Sequence, residues 1–459
     1  LMRNQMKRES GLARPASGRL RDLVLKALPY QLTDAQKQAV EDIDRDLQSP
    51  ERMLRLVQGD VGSGKTIVAF LAMVQVVEAG YQSALMAPTE ILARQHYERL
   101  YPLAQAAGLR LALLTGRDKG KSRKALLDQL AAGEIDLLVG THALFQDDVV
   151  FKALGLAVID EQHRFGVHQR LALSRKGQAV DVLVMTATPI PRTLVLTFFG
   201  DMDVSVLREK PAGRQTIDTR TIRLDRSQEV IDGLERALAS GQQIYWICPL
   251  VEENEELDLT AVNARFKSLA ERFGHQTGLL HGQMPAADKD AAMQDFASGK
   301  TRLLVATTVV EVGVDVPNAS VMVIEHAERF GLSQLHQLRG RIGRGSAKST
   351  CLLLYASDAG QIARARLEVM RQSEDGFFIA EEDLRLRGEG DVLGTRQSGM
   401  PGFRFALPDH HARLLAMARD DAKLVLEKDA RLQSERGQAL RVLLYLFERD
   451  AAIRWVKAG

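Results

Sequence analysis

Cysteine, aromatic side chains and long apolar runs are all scarce in this chain, and each shortage excludes something. Cys248 and Cys351 are the only cysteines in 459 residues. Both lie in apolar stretches, which reads as two buried free thiols in a reducing compartment rather than a disulfide framework or a cysteine metal site. The expected location is therefore the cytoplasm. No window approaches the roughly 18 consecutive apolar residues of a membrane span. Leu1-Met2-Arg3-Asn4-Gln5 has no apolar signal region, and a leading Leu1 reads as an excerpt from a longer chain. At 5%, aromatics are too few for a stacking platform that grips unpaired bases. Neither sign of charge is in excess, with 61 Lys and Arg against 59 Asp and Glu, so the average does not point to a polyanion partner. That average conceals one asymmetry. Residues 1–28 hold seven basic residues (Arg3, Lys7, Arg8, Arg14, Arg19, Arg21, Lys26) against Glu9 and Asp22, a net of +5 that leaves −3 for the rest.

The length suits two to four domains with a large core. From residue 54 onward, short apolar runs alternate with longer amphipathic ones. Residues 55–58, 83–87, 110–114, 136–139, 157–159 and 182–185 read as buried strands, with helices over 66–78 and 91–107. A breaker, Glu209-Lys210-Pro211-Ala212-Gly213, precedes a second series. Its strands are 216–222, 243–248, 277–280, 303–306, 321–324 and 350–355, and its helices 226–240, 259–273 and 286–298. Alternation of this kind predicts parallel sheets covered on both faces. The division is a basic segment over 1–28, one α/β domain over 29–209, a second over 210–360, and a helical and Gly/Arg-rich region over 361–459.

Gly59-Asp60-Val61-Gly62-Ser63-Gly64-Lys65-Thr66 fits G-x-x-x-x-G-K-[ST] between a predicted strand and a predicted helix. Gly59, Gly62 and Gly64 let the backbone of this loop, Ser63 included, curl its N–H groups toward phosphate oxygens, and the helix start adds positive potential. Lys65 is placed on the β/γ-phosphates and Thr66 on Mg²⁺. A second apolar strand ends in Asp160-Glu161. Asp160 is the second Mg²⁺ group, and Glu161 is the base that polarises water. Together these predict hydrolysis of a nucleoside triphosphate without saying what it drives. In Gln337-Leu338-Arg339-Gly340-Arg341-Ile342-Gly343-Arg344 the glycines cost about 1 kcal/mol each in a helix interior. The spacing makes sense if the glycines allow a close approach and the arginines project toward an anion, as arginine fingers do.

With these motifs in hand, the core resembles the superfamily 2 helicases and translocases. Tyr30-Gln31-Leu32-Thr33 with Gln36 is similar to the adenine-reading Q motif. Thr89 lies in a motif Ia, Thr115 in a motif Ib and Thr141 in a motif Ic, while Thr186-Ala187-Thr188 resembles motif III. His281 lies in Leu279-Leu280-His281-Gly282. Thr308 and Asp315 lie in a motif V and residues 337–344 form a motif VI, with Arg341 and Arg344 in the finger positions. Within that superfamily, Asp160-Glu161-Gln162-His163, Pro189-Ile190-Pro191-Arg192-Thr193-Leu194 and Gly200-Asp201-Met202-Asp203-Val204-Ser205-Val206 look like the RecG family of branched-DNA helicases. Residues 375–399 are similar to that family's translocation hairpin, although Glu389 and Asp391 stand where Pro and Glu are more usual.

The resemblance implies two tandem RecA-like domains plus a helical-hairpin translocation element, without the N-terminal wedge domain. Residues 1–28 would link to that wedge. It implies ATP and Mg²⁺, with Tyr30, Gln36, Gly59, Gly62, Ser63, Gly64, Lys65, Thr66, Asp160 and Asp315 around the nucleotide. Lys65, Glu161, Gln337, Arg341 and Arg344 would be catalytic. Thr89, Arg94, Thr115, Thr141, His281, Thr308, Arg385, Arg387, Arg396 and Gln397 would hold DNA. Forked or branched duplex DNA and a single-stranded-DNA-binding protein are the implied partners, of a monomer associated with the bacterial nucleoid. Few aromatics and a near-neutral body suit tracking along a duplex backbone. Three alternatives stay open. The translocase of the transcription-repair coupling factor shares the Pro-Ile-Pro-Arg element but usually has a second Glu at the place of Gln162. The others are an RNA helicase and a nucleotide-gated DNA-binding protein that does not hydrolyse.

Overall fold

The computed structural model describes residues 11–160, 176–189, 202–209, 216–249, 255–311, 316–343, 345, 347–394 and, with breaks, 414–447. Glu161, Asp315, Arg344, Arg396 and Gln397 lie outside the described residues, as does the side chain of Arg387.

In chain order the first domain contains α1 (Arg19–Ala27), α2 (Asp34–Gln48), β1 (Leu54–Gly59), α3 (Lys65–Glu78), β2 (Gln82–Met86) and α4 (Glu90–Ala106). There follow β3 (Leu111–Leu114), α5 (Gly120–Ala132), β4 (Leu137–Gly140), β5 (Leu154–Ile159), β6 (Asp181–Thr186) and β7 (Asp203–Leu207). Every strand pairing is parallel, in the order β3-β4-β2-β5-β6-β1-β7. The pleat splits the apolar strands between two cores. Val57, Leu85, Val139, Val158 and Leu183 face α1–α4, whereas Leu56, Ala84, Leu138, Ala157 and Val182 pack on the other side. Both faces are covered, which is why the strands read as continuous apolar runs. β7 pairs with β1 at the sheet edge and is only partly buried. Its weaker pattern escaped the strand reading.

The second domain contains β8 (Ile217–Arg223), α6 (Ser227–Ala239), β9 (Gln243–Ile247), α7 (Glu255–Phe273), β10 (Thr277–Leu280), α8 (Ala286–Ala297), β11 (Leu303–Ala306), β12 (Ala319–Ile324), α9 (Leu332–Arg339) and β13 (Ser349–Tyr355). Its six strands are again all parallel, ordered β10-β11-β9-β12-β13-β8. Then come α10 (Gln361–Gln372), α11 (Gly376–Gly394) and α12 (Glu435–Leu446). Parallel strands put all their C-terminal ends on one edge of each sheet, where α/β folds bind ligands. Both cysteines are free and buried, as expected, and burial pushes the Cys351 thiol up to about 12.

The described part of the basic arm is strapped to the first domain. Arg14 is fully buried: it pairs with Asp181, donates to Ala179 O at 2.8 Å and Leu12 O at 3.1 Å, and lies 4.7 Å from the Tyr81 ring centroid. Arg21 grips Asp44 with two bonds of 2.6 and 2.7 Å. These two arginines are committed to packing against the first domain.

Candidate nucleotide site and nucleic-acid track

β5, β6 and β1 are neighbours, so Asp160, Thr186-Ala187-Thr188 and the 59–66 loop emerge side by side at one sheet edge. Gly62 and Gly64 take φ of 79° and 83°, a region that L side chains avoid, and this lets the loop curl. Lys65 folds back over the loop, donating to Gly59 O at 2.8 Å and Asp60 O at 2.9 Å. The buried Ser63 hydroxyl finds no hydrogen-bond partner among the described residues, as expected of a cradle built for an anion.

Gln36 has a task that the motif did not reveal. Its Oε1 accepts from Thr33 N at 3.0 Å, and Gln36 N donates to Thr33 Oγ1 at 3.3 Å, which is a capping box at the start of α2. Its Nε2 also donates to Ser63 O at 2.9 Å. A Cβ on Gly64 would stand 2.2 Å from that same nitrogen, so only glycine lets this amide brace the loop. Tyr30 is half exposed near Arg99; burial raises its pKa and Arg99 lowers it.

Asp160 lies 2.8 Å from the buried His96 Nε2 on α4. His96 shares a buried face with Ala93, Leu100 and Ala104 and was missed because a lone histidine on an apolar face carries little signal. The Asp160 carboxylate and the Thr66 hydroxyl, in the first turn of α3, are hard oxygen donors, the set that suits Mg²⁺.

The arginine-rich segment differs from expectation. Residues up to Arg339 are helical, and Gly340 ends the helix. Arg339 does not project toward an anion site. It is buried inside the second domain, donating to Met370 O at 2.6 Å and to His336 Nδ1 at 3.1 Å. Only Arg339 of the three arginines lies in this helix, on its buried face beside Leu335, His336 and Leu338. Arg341 is buried too.

The same helix reaches across to the first domain. A guanidinium only donates, so His336 Nδ1 is an acceptor and its Nε2 is the donor to Asp60 Oδ1, at 2.6 Å. Gln337 Nε2 donates to Thr188 Oγ1. Gly340 allows the close approach inferred from sequence, and its neighbour is the loop itself: a Cβ there would stand 2.9 Å from Val61 Cβ. Gly376, opening α11, would meet His336 Nε2 at 2.7 Å, Pro189 Cγ at 2.8 Å and Asp60 Cγ at 3.3 Å. Four segments therefore converge on the Asp60–His336 bond. Removing the imidazole leaves a buried carboxylate and guanidinium each short of a partner, at about 1–3 kcal/mol. His336→Ala is expected to lower DNA-stimulated ATP turnover about tenfold at saturating ATP; a steady-state assay returning the unmodified rate would remove this bond from the mechanism.

The expected DNA residues are distributed along the strand ends of both sheets. Thr89 caps α4, accepting from Leu92 N at 3.3 Å, and Arg94 is exposed on that helix. Thr115 and Thr141 are buried at the ends of β3 and β4. The Thr115 hydroxyl donates to Asp118 Oδ2 at 3.1 Å, whereas that of Thr141 finds no partner among the described residues. His281 and Thr308 are half-buried at the ends of β10 and β11. Burial, then Lys289, lowers the His281 pKa. Arg385, exposed on α11, pairs with Glu382, its Nε 3.1 Å from both carboxylate oxygens.

Comparisons with known proteins agree with this geometry. Residues 33–196 match the DEAD/DEAH box helicase family and residues 227–346 the helicase conserved C-terminal domain. Residues 373–457 match the C-terminal domain 3 of the ATP-dependent DNA helicase RecG. The ATP-dependent DNA helicase RecG of Bacillus subtilis (strain 168) is 52% identical over 408 residues, covering 88% of this chain. The chain belongs to the RecG family. A Synechocystis RecG is likewise 52% identical, over 419 residues and 91% of the chain. A solved RecG bound to a three-way DNA junction superposes with a TM-score of 0.76 at 42% identity, covering 90% of this chain and 54% of that one. The helicase MrfA bound to DNA and AMPPNP, 16% identical with a TM-score of 0.58 over 89% of this chain and 61% of that one, shares the fold. The architecture is thus two tandem RecA-like domains with parallel sheets. The chain spans 60% and 50% of the length of the two curated RecG relatives. Among the described residues no helix is long and apolar enough to cross a membrane.

Proposed function

We propose that the chain is the motor portion of an ATP-dependent helicase that moves along branched duplex DNA, in fork regression and junction branch migration. The observation that carries this reading is the helix of residues 332–339 reaching across to the phosphate loop, with His336 on Asp60 and Gln337 on Thr188. A two-domain ATPase driven by cleft closure needs such a contact. The chain would divide into a linker segment over 1–28, the two motor domains over 29–209 and 210–360, and the translocation region over 361–459.

ATP is the substrate. Lys65 would leave Gly59 O and Asp60 O for the β/γ-phosphates, and the Ser63 hydroxyl and loop N–H groups would receive phosphate oxygens. Gln36 braces the loop, and Gly62 and Gly64 supply its curl. Tyr30 and Asp315 are assigned to nucleotide binding. Thr66 and Asp160 would hold Mg²⁺, which when bound neutralises charge on the phosphates. His96 would fix the rotamer of Asp160. Glu161 is assigned to orient the attacking water, and Gln337, Arg341 and Arg344 to complete the site from the second domain.

Thr89, Arg94, Thr115, Thr141, His281 and Thr308 are the proposed backbone contacts, with Arg385, Arg387, Arg396 and Gln397 converting cleft motion into translocation. Phosphate contacts position without reading sequence, which suits a motor. The motor would act as a monomer in the bacterial cytoplasm, associated with the nucleoid and with single-stranded-DNA-binding protein as a partner.

The test is steady-state ATPase of the chain with forked DNA, duplex, single strands and structured RNA at two salt concentrations. Forked DNA is expected to stimulate most, with the effect falling steeply in salt. Stimulation by RNA alone, or by nothing, would defeat the reading.

A further inference from the structure

Arg117 follows Thr115-Gly116 at the end of β3, and none of the roles above uses it. Its guanidinium lies between carboxylates of both domains. Nε contacts Glu90 Oε2 at 2.8 Å, in the first turn of α4, and the NH2 edge pairs with Asp290 on α8 of the second domain. The Arg117 side chain is 40% exposed and that of Asp290 28%. The surface that follows is basic. Lys119, Lys121 and Lys124 are exposed, and Arg123 is held by Asp148 and Gln146. The single acid in 117–124 is Asp118, and its carboxylate is turned onto Thr115 N at 2.7 Å and the Thr115 hydroxyl. The buried Thr141 hydroxyl, without a partner among the described residues, lies on the neighbouring strand end, where Thr141 N donates to Leu114 O at 3.4 Å.

The two carboxylates are not equivalent. Glu90 belongs to the same domain as Arg117, and a Cβ on Gly116 would stand 3.3 Å from its Oε1, so it orients the guanidinium through Nε. Asp290 belongs to a domain that moves if the cleft works, and it holds the outer edge. A half-exposed ion pair is worth about 0–1 kcal/mol. A duplex phosphate offers the same planar edge a bidentate acceptor and releases a condensed counterion as well.

We propose that Arg117, with Lys119, Lys121 and Lys124, is a binding site for the duplex phosphodiester backbone, and that Asp290 masks it. Backbone phosphate and Asp290 compete for one guanidinium edge. Binding of DNA therefore releases an ion pair between the two domains, while the Asp60–His336 and Gln337–Thr188 contacts beside the nucleotide are untouched. This inference rests on the duplex-binding reading above.

The test is fluorescence anisotropy with a labelled duplex between 50 and 200 mM salt, alongside DNA-stimulated ATPase of the unmodified chain. Arg117→Ala is expected to weaken binding about fivefold and to make the log–log salt slope shallower by about 0.9. Asp290→Asn is expected to tighten it about two- to fivefold. Asp295→Asn, on the same helix and paired with Lys300 at 2.9 Å, removes the same charge without unmasking Arg117 and serves as the control. In the Arg117→Ala background the Asp290→Asn gain should vanish. A gain that persists there, or that Asp295→Asn matches, overturns the mask while leaving the functional reading intact. An unmodified chain that neither binds duplex nor responds to DNA overturns both.

Discussion

Lys65→Ala is expected to reduce ATP turnover by about 10³-fold with little change in melting temperature. The ammonium is buried and makes two bonds to loop carbonyls, to Gly59 O at 2.8 Å and Asp60 O at 2.9 Å. In the proposed mechanism it exchanges both for the β/γ-phosphates, while its neighbour Gln36 is committed to Thr33 and Ser63. Truncation loses two hydrogen bonds, but it also removes the cost of burying an ion, so the fold should tolerate it. Phosphate release at saturating DNA, together with calorimetric melting, separates the two effects. Turnover within tenfold of the unmodified chain would overturn the loop assignment.

Arg14→Ala is expected to produce the largest loss of stability, and one that depends on pH. Burial pushes the Asp181 carboxyl up to about 7, against the opposing pull of Arg14 and of Met53 N, which donates to it at 2.7 Å. A carboxyl with a raised folded-state pKa favours the folded chain most at low pH, and that contribution is lost as pH rises from about 4 through 7. Removing Arg14 raises the folded pKa further. Below pH 7 the carboxyl is protonated in both proteins, so the variant loses mainly the bonds to Leu12 O and Ala179 O, about 1–3 kcal/mol. Above pH 7 the unmodified chain ionises Asp181 against Arg14, whereas the variant must keep the carboxyl protonated or bury its charge alone, so the deficit grows with pH toward about 3–5 kcal/mol. Denaturant melts at pH 6 and pH 9 should show the deficit growing with pH; an equal deficit at both would mean that the ion pair contributes nothing beyond its hydrogen bonds.

Much of the fold was legible because parallel sheets buried on both faces leave a plain trace. All six first-domain strands read from sequence are present, with ends moved by one or a few residues. The exceptions have physical causes. β7 lies at the edge, where the apolar pattern thins. α9 was not read from sequence; the glycines of 337–344 argued against a helix continuing through them, and α9 does end at Arg339 with Gly340 just beyond its last turn.

The phosphate loop, Asp160 and the strand-end threonines could be named from sequence because each is a short motif whose chemistry depends on local backbone. His96 on Asp160, His336 on Asp60, and the inward turn of Arg339 could not. Each joins residues 64, 276 and 31 positions apart, and nothing in local periodicity records which side chain crosses a domain cleft. The same holds for the net charge. By itself the sequence determined that the chain carries a nucleotide site on tandem α/β domains and a basic N-terminal arm. Only tertiary structure decided where its charges went: Arg14 and Arg21 are consumed in packing, while Arg117 is held between domains. A charge seeks its partner through space, and along the chain that partner has no address.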